Sequence, residues 1–404
     1  MPALELADIF RQHGPSYRAR HDLPLAHLKV MRAIESCRTE VLGGHLERCG
    51  HCAHQRIAYN SCRNRHCPKC QTMAKEKWLE QRKRELLPVE YFHVVFTVPP
   101  TIAEIALQNK RVLFQILFRT SAETLLTIAE DPKHLGATVG FFSILHTWGQ
   151  NLLFHPHVHC VVTGGGLSPD KNLSPDKKKW IACRPDFFLS VRVLSRLFRR
   201  LFLEALDNAY AKGQLQFHGQ LQPLRQPEAF KLHLAPARKA EWVVYAKPPF
   251  GSPEHVLDYL ARYTHRVAIG NQRLLAFEQG QVSFRYKDYR SADPQRSRQM
   301  TLEADEFIRR FLLHVIPPGF QRVRHYGLLT NRYRAKNLAL CRELLVGPRS
   351  DLLPTPAQLA TILALIVEPA ARCPQCKIGQ MIRVSLIPPI PWSAAGATPA
   401  LDSS

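Results

Sequence analysis

Five cysteines crowd between Cys49 and Cys70, and they constrain this chain more than any other feature: Cys49-x-x-Cys52, then Cys62, then His66-Cys67-Pro-Lys-Cys70. A Cys-x-x-Cys turn aims two sulfurs at one point, so two such pairs joined by a short hairpin make a tetrahedral zinc ribbon. The simplest ligand set is Cys49, Cys52, Cys67 and Cys70, while Cys62 and His66 can replace a member or bind a second ion. No βαβ pattern surrounds the pairs, which argues against redox chemistry and for structural zinc. A later pair, Cys373-Pro-Gln-Cys376, lacks two partners, for which Cys341 and His325 are candidates.

Clustered cysteines of this kind suit a reducing compartment. The opening residues, with Glu5, Asp8 and Arg11, lack the basic-then-apolar order of a secretory signal, and no run reaches the ~18 uncharged apolar residues of a membrane span. The expectation is a cytoplasmic protein without a membrane partner. At 404 residues the chain is long enough for two or three folding units. Its net charge of +22, from 55 basic and 33 acidic side chains, makes nucleic acid the first partner to consider. Part of that charge is concentrated between Gln321 and Arg342, where no acidic residue occurs and where His325, Tyr326 and Tyr333 are interleaved. Arg322, Arg324, Arg332, Arg334 and Lys336 read as contacts to a DNA backbone.

Hydrophobic patterning gives an α+β chain. Residues 1–45 have helical spacing interrupted at Pro15 and Pro24, residues 46–88 hold the zinc module, and a basic helical pattern runs from Thr72 to Leu87. Residues 89–295 alternate strand-like runs (Tyr91–Val98, Ala137–His146, His157–Thr163, Glu241–Ala246, Arg273–Glu278, Gln281–Tyr289) with helical ones, as in a mainly antiparallel sheet with helices. Residues 296–368 read as a basic helical DNA-binding region, and 369–404 as the last Cys-x-x-Cys followed by a disordered tail rich in Pro, Ala and Ser.

Chemistry gathers in two places. In His155-Pro-His157-Val158-His159, alternation along a strand turns His157 and His159 to one face while Val158 packs behind them, so both imidazoles can reach one divalent ion. The third ligand stays open among His146, Gln150, His155 and His255. In Asp258-Tyr259-Leu-Ala-Arg262-Tyr263-Thr-His265-Arg266 the tyrosines are four apart, which stacks both hydroxyls on one helix face beside cations. A phenol with a free pKa of ~10 needs such a cation or a metal to act as a nucleophile. Trp148 and Gly164-Gly165-Gly166 read either as places where DNA approaches the backbone or as a core residue and a turn.

The words His146-Thr-Trp148-Gly-Gln150, His155-Pro-His157-Val-His159-Cys, Gly164-Gly-Gly-Leu167, Tyr259-Leu-Ala-Arg-Tyr263-Thr-His-Arg-Val-Ala-Ile269 and Arg324-His-Tyr-Gly-Leu328, with the zinc cluster before them, resemble the bacterial rolling-circle insertion-sequence transposases, including the common-region elements. The resemblance covers most of residues 40 to 345. It implies a palm-like antiparallel sheet carrying a His-hydrophobic-His (HUH) nuclease, with His157 and His159 holding Mg²⁺ or Mn²⁺ and Tyr259 and Tyr263 as nucleophiles. It further implies nicking and rejoining of single-stranded DNA at transposon ends and target through a 5′-phosphotyrosine. A plasmid replication initiator or relaxase uses the same chemistry, and a non-catalytic zinc-ribbon regulator is the alternative from another class.

Overall fold

Where the sequence runs through β-branched and aromatic residues without charge it forms strands buried on both faces, and where apolar residues recur every three or four positions it forms helices that cover them. The computed structural model describes residues 4–71, 85–169, 177–247, 267–287, 297–346 and 372–390. In chain order these hold α1 (Leu6–Arg20), α2 (Leu25–Glu35), β1 (Gly44–Cys49), β2 (Gln55–Tyr59), β3 (Tyr91–Thr97), α3 (Pro100–Gln108) and α4 (Lys110–Glu130). Next come β4 (Thr138–Trp148), β5 (Phe154–Leu167), β6 (Trp180–Ala182), α5 (Val191–Ala211), α6 (Pro227–Lys239) and β7 (Val244–Lys247). The remainder are β8 (Leu274–Glu278), β9 (Gln281–Lys287), β10 (Ser297–Glu303), α7 (Ala304–Leu313), β11 (Val323–Gly327), α8 (Arg334–Val346) and β12 (Met381–Ile387).

The chain divides into two compact units, one drawn from residues 1–73 and 349–404, the other from 74–348. In the first, α1 packs on α2, with Phe10, Met31 and Ile34 buried and Arg18 paired to Glu35 at 2.5 Å. The break expected at Pro15 does not occur, since α1 runs through it. Close packing there, with buried Gly14 set against Glu35, offsets the ladder bond that proline removes. The segment expected to be an unstructured tail contributes β12, which pairs antiparallel with β1 in a three-stranded sheet of order β12-β1-β2. Residues 391–404 lie outside the described residues.

The second unit is built on an antiparallel sheet of order β11-β4-β5-β3-β7, with β6 beside the far end of β5. Alternation sorts its side chains. Phe92, Val94, Phe96, Phe141, Leu145, Val158, Cys160 and Val162 point to one face and join the main core with α3 to α6. Tyr91, Phe142, Ile144 and Val161 form a smaller cluster on the other face. Helix α4 is long and apolar enough to cross a membrane by length and composition, with mean hydropathy 1.3, but two-thirds of that stretch is buried in this core.

The expected boundary at residue 296 is corrected. β10 pairs with β9 in a second small sheet of order β10-β9-β8, and β11, inside the segment expected to be helical, forms the edge of the large sheet. The basic charge around Val323–Gly327 hides an ordinary strand alternation in which Val323 and His325 face one way and Arg324 and Tyr326 the other.

Candidate active site and metal clusters

The sheet's register sets the first site. His146 on β4 lies opposite His157 on β5, and His159 sits two residues along on the same face. Their ring nitrogens lie within 4.8 Å of one another, while Val158 behind them is fully buried. His157 and His159 are thus brought together as the alternation predicts, and His146 joins them from among the open candidates. Gln150 sits instead in the β4–β5 turn, His155 points to solvent, and His255 lies outside the described residues.

Hydrogen bonds fix how these rings present themselves. Nδ1 of His157 donates to the His155 carbonyl at 2.7 Å, and Nδ1 of His159 lies 2.8 Å from Nε2 of His93, a buried residue on β3. With Nδ1 engaged in both rings, Nε2 is the nitrogen each can offer to a cation. His93 was missed in the sequence because it sat inside a run that reads only as a strand. Its alternation with Tyr91 and Val95 gives its face, but not the register that brings it to His159.

Beside the histidines the β4–β5 turn is closely packed and hydrogen-bonded. Trp148 stacks on His146 with centroids 4.7 Å apart, and edge-on to Trp148 lies His314, at 1% exposure. Nε2 of His314 donates to the Leu152 carbonyl at 3.0 Å and its Nδ1 accepts from the Thr147 hydroxyl at 3.3 Å, while burial pushes its pKa down to about 3. The same turn is held by Arg273 on the Gln150 carbonyl and by Arg310 on the Asn151 carbonyl. The register of His146 against His157 is therefore set by a turn pinned from three sides. Trp148 is a core residue, and the three glycines serve close strand packing: a side chain at Gly165 or Gly166 would meet the backbone of β6 or β4.

The cysteines gather differently from the expected ribbon. Cys67 and Cys70 meet Cys37 and Cys62, whereas Cys49 and Cys52 meet Cys373 and Cys376. Pairing of β12 with β1 delivers the last Cys-x-x-Cys opposite the first, which nearness in sequence cannot reveal. His66 belongs to neither group. Cys341 is buried in the second unit, its thiol pushed up to about 12 by desolvation, and His325 faces Phe142, so neither partners Cys373. Cys37 stands alone in sequence at the end of α2 and carries no motif that could have announced it.

Both groups fit zinc. Around a tetrahedral ion with metal–sulfur bonds of about 2.3 Å the sulfurs stand about 3.8 Å apart; here Cys70 Sγ lies 3.6 Å from Cys37 Sγ and 3.5 Å from Cys62 Sγ, and in the other group the pairs Cys49–Cys376 and Cys52–Cys373 stand 3.7 and 3.6 Å apart. In the first group the sulfurs perturb one another, Cys37 being driven down chiefly by Cys62 and Cys62 up chiefly by Cys37. A divalent ion removes that conflict by taking all four as thiolates.

Of the basic residues expected to meet DNA, Arg332 and Lys336 are exposed and Arg334 lies 3.5 Å from Glu85. Arg324, half-buried, points to the helix-covered face, where its guanidinium stacks on Phe118 at 4.4 Å and Phe320 at 5.1 Å. Arg322 lies just before β11, its carbonyl accepting from Leu145 N–H. Tyr259 and Tyr263, with Arg262, His265 and Arg266, lie outside the described residues.

Comparison with known proteins agrees with this arrangement. Residues 140–337 match a family described as "Putative transposase", and residues 9–98 match a "Transposase zinc-binding domain" of the IS91 type. The "Putative transposase y4qJ" of Sinorhizobium fredii is 56% identical over 400 residues, 97% of this chain and 98% of its own length. The "Transposase for insertion sequence element IS801" of Pseudomonas savastanoi pv. phaseolicola is 29% identical over 328 residues, 79% of this chain and 74% of its own. No solved structure matches the chain. The sheet histidines and paired cysteine clusters are therefore those of a chain that belongs to the IS91-type rolling-circle insertion-sequence transposases.

Proposed function

We propose that this transposase nicks and rejoins single-stranded DNA at the ends of its element through a 5′-phosphotyrosine, with Mg²⁺ or Mn²⁺ held by His146, His157 and His159. The observation that carries the reading is the convergence of these three imidazoles on one sheet face, two of them with Nδ1 engaged elsewhere. Three neutral nitrogens leave coordination positions for phosphate oxygens and water, as a catalytic and not a structural site requires. When bound, the ion would polarise the scissile phosphate as a Lewis acid.

The protein's own part is positioning and nucleophilic attack. The oxygen of Tyr259 or Tyr263 forms a bond to phosphorus, the bond from phosphorus to the 3′ oxygen breaks, the phenol's proton leaves to solvent, and the released 3′ oxygen takes one up. The phosphodiester's energy is kept in the tyrosine ester, so rejoining needs no ATP. Two tyrosines allow two strand ends to be held or exchanged. Exposed Arg332 and Lys336, with the chain's charge of +22, would supply sequence-independent contacts to the DNA backbone, and the reading takes the cytoplasm as the place of the work. Membership of the transposase family favours this reading over a replication initiator, a relaxase or a zinc-ribbon regulator.

The test uses the full chain and labelled single-stranded DNA from the element's ends. Wild-type protein should form a covalent adduct that survives denaturation, and the Tyr259→Phe, Tyr263→Phe double variant should form none. His157→Ala or His159→Ala should lower cleavage at least 100-fold with DNA affinity nearly unchanged, because affinity comes from phosphate contacts elsewhere. An adduct mapped to any other residue overturns the nucleophile assignment, and full cleavage by either histidine variant overturns the metal assignment.

A further inference from the structure

We propose that the chain carries two structural zinc ions, and that the second is a clasp held by Cys49 and Cys52 from the N-terminal region and by Cys373 and Cys376 from the C-terminal one. The zinc-binding family match covers residues 9–98, which include all four cysteines of the Cys37 cluster but only half of the clasp. Three independent features of the residues point to a metal.

The first is sulfur geometry. Cys49 Sγ lies 3.7 Å from Cys376 Sγ, and Cys52 Sγ lies 3.6 Å from Cys373 Sγ. A disulfide needs about 2.05 Å, and the four thiols are unbridged. The second is the backbone around them. His51 N–H and Cys52 N–H donate to Cys49 Sγ at 3.3 and 3.5 Å, and Gly379 N–H donates to Cys376 Sγ at 3.3 Å. Each Cys-x-x-Cys turn thus wraps amide donors around the first or last sulfur of its pair, the environment that favours thiolate over thiol.

The third feature is that the two turns are built to approach. β1 and β12 run antiparallel from Gly44 opposite Ile387 to Cys49 opposite Met381, which ends the ladder at the cluster. Gly379 closes the approach, since a Cβ there would stand 2.5 Å from Cys49 Sγ and 2.6 Å from the His51 side chain. The buried cluster at this point consists of Cys49, Cys373 and Met381 with Cys376 packed on them, too little apolar material to hold a sheet edge without the metal. Binding converts four thiols to thiolates, releases their protons to solvent and leaves a complex of net charge −2. It closes a loop of 321 residues between Cys52 and Cys373, where a metal clip restricts the unfolded chain most.

The clasp predicts that the zinc module is not a self-sufficient N-terminal piece, because its third strand and two of its eight sulfur ligands arrive from the other end of the chain. The test is metal content and thiol protection in the full-length protein. Wild type should hold two zinc ions per chain by elemental analysis, Cys373→Ser and Cys376→Ser should each hold one, and Cys62→Ser should also hold one while keeping the clasp. Because a serine variant could misfold, alkylation of zinc-loaded wild type gives a second measurement. Exposed Cys52 and half-buried Cys376 should resist iodoacetamide at least 10-fold better than after chelation. One zinc in wild type, two in the Cys373 variant, or free alkylation of Cys52 and Cys376 in the loaded protein overturns the proposal.

Discussion

In the first unit the most tightly gathered side chains are sulfurs, in two groups of four drawn from both ends of the chain, whereas in the second they are aromatic and aliphatic rings and chains between a sheet and its helices. A sheet of three strands with Ile57, Ile382 and Leu386 more than half exposed has little to hide from water, so its ligands must hold it. The sheet that carries the histidines has Phe92, Phe96, Phe141, Val158 and Val162 fully packed behind it and needs no ion to form. The comparison separates a metal that makes a fold from a metal that a fold makes room for.

The largest effect expected from this difference follows metal removal. Stripping zinc with a strong chelator should unfold the first unit, since the binding free energy of a structural zinc, on the order of 10 kcal/mol, is folding free energy there. Backbone amides of β1, β2 and β12 should then exchange with deuterium at nearly unfolded rates, while those of β3, β4 and β5 keep their protection. Equal loss of protection in both sets would end the distinction.

That division also marks how far the sequence could be read. The face of His157 and His159 follows from strand alternation alone, because a period of two is a local property. His146 and His93 share that face, yet which residue of β4 stands opposite His157 depends on a turn held by Arg273, Arg310 and His314, residues more than a hundred positions away, and His93 reaches His159 through strand pairing across 66 positions. The cysteines show the same limit more sharply. Two Cys-x-x-Cys pairs close in sequence suggest one site, but each turn fills only half a tetrahedron, and the other half is chosen by β1–β12 pairing and by the end of α2. Charge misled in the opposite direction: Arg322 and Arg324 flank and enter an edge strand that the basic composition made look helical.

A sharper form of the comparison asks how the second unit prepares its proposed ion site without depending on the ion. The Nδ1 of His159, 2.8 Å from His93 Nε2, must carry the proton if Nε2 is to bind a cation, so His93 accepts and orients. His93→Phe keeps a ring and removes the acceptor, whereas His93→Gln can supply one. Mn²⁺ affinity, measured on the protein without DNA, should fall about 10- to 100-fold in His93→Phe and recover in part in His93→Gln. Thermal unfolding of the second unit should fall only slightly in either. The His157→Ala control separates two failures: if it keeps Mn²⁺, the site itself is misassigned, and if it loses Mn²⁺ while His93→Phe binds normally, the contact is packing alone.

The smallest effect concerns the turn behind that site and is read through pH. His314 is buried and neutral, with its pKa pushed from 6.5 down to about 3 by desolvation, so the folded protein leaves it unprotonated where the unfolded chain does not. Between those values the unfolded state binds the extra proton, and stability falls as pH falls; above 6.5 both states are neutral and His314 contributes no slope. By pH 4.5 the loss from this one group is about 2–3 kcal/mol at 1.36 kcal/mol per unit. Glu306, held down at about 2 by Arg309 and Arg310, adds an acid-side loss of its own at lower pH, so the informative quantity is a difference between proteins. His314→Gln keeps a side-chain amide able to reach the Leu152 carbonyl but has no proton to gain. Denaturant unfolding of the second unit, followed from pH 7.5 to 4.5, should therefore be less steep for the variant, even if its stability at pH 7.5 is lower. Parallel curves for the two proteins would mean that the buried ring is protonated without cost, and that the turn behind His146 and His157 is looser than its hydrogen bonds imply.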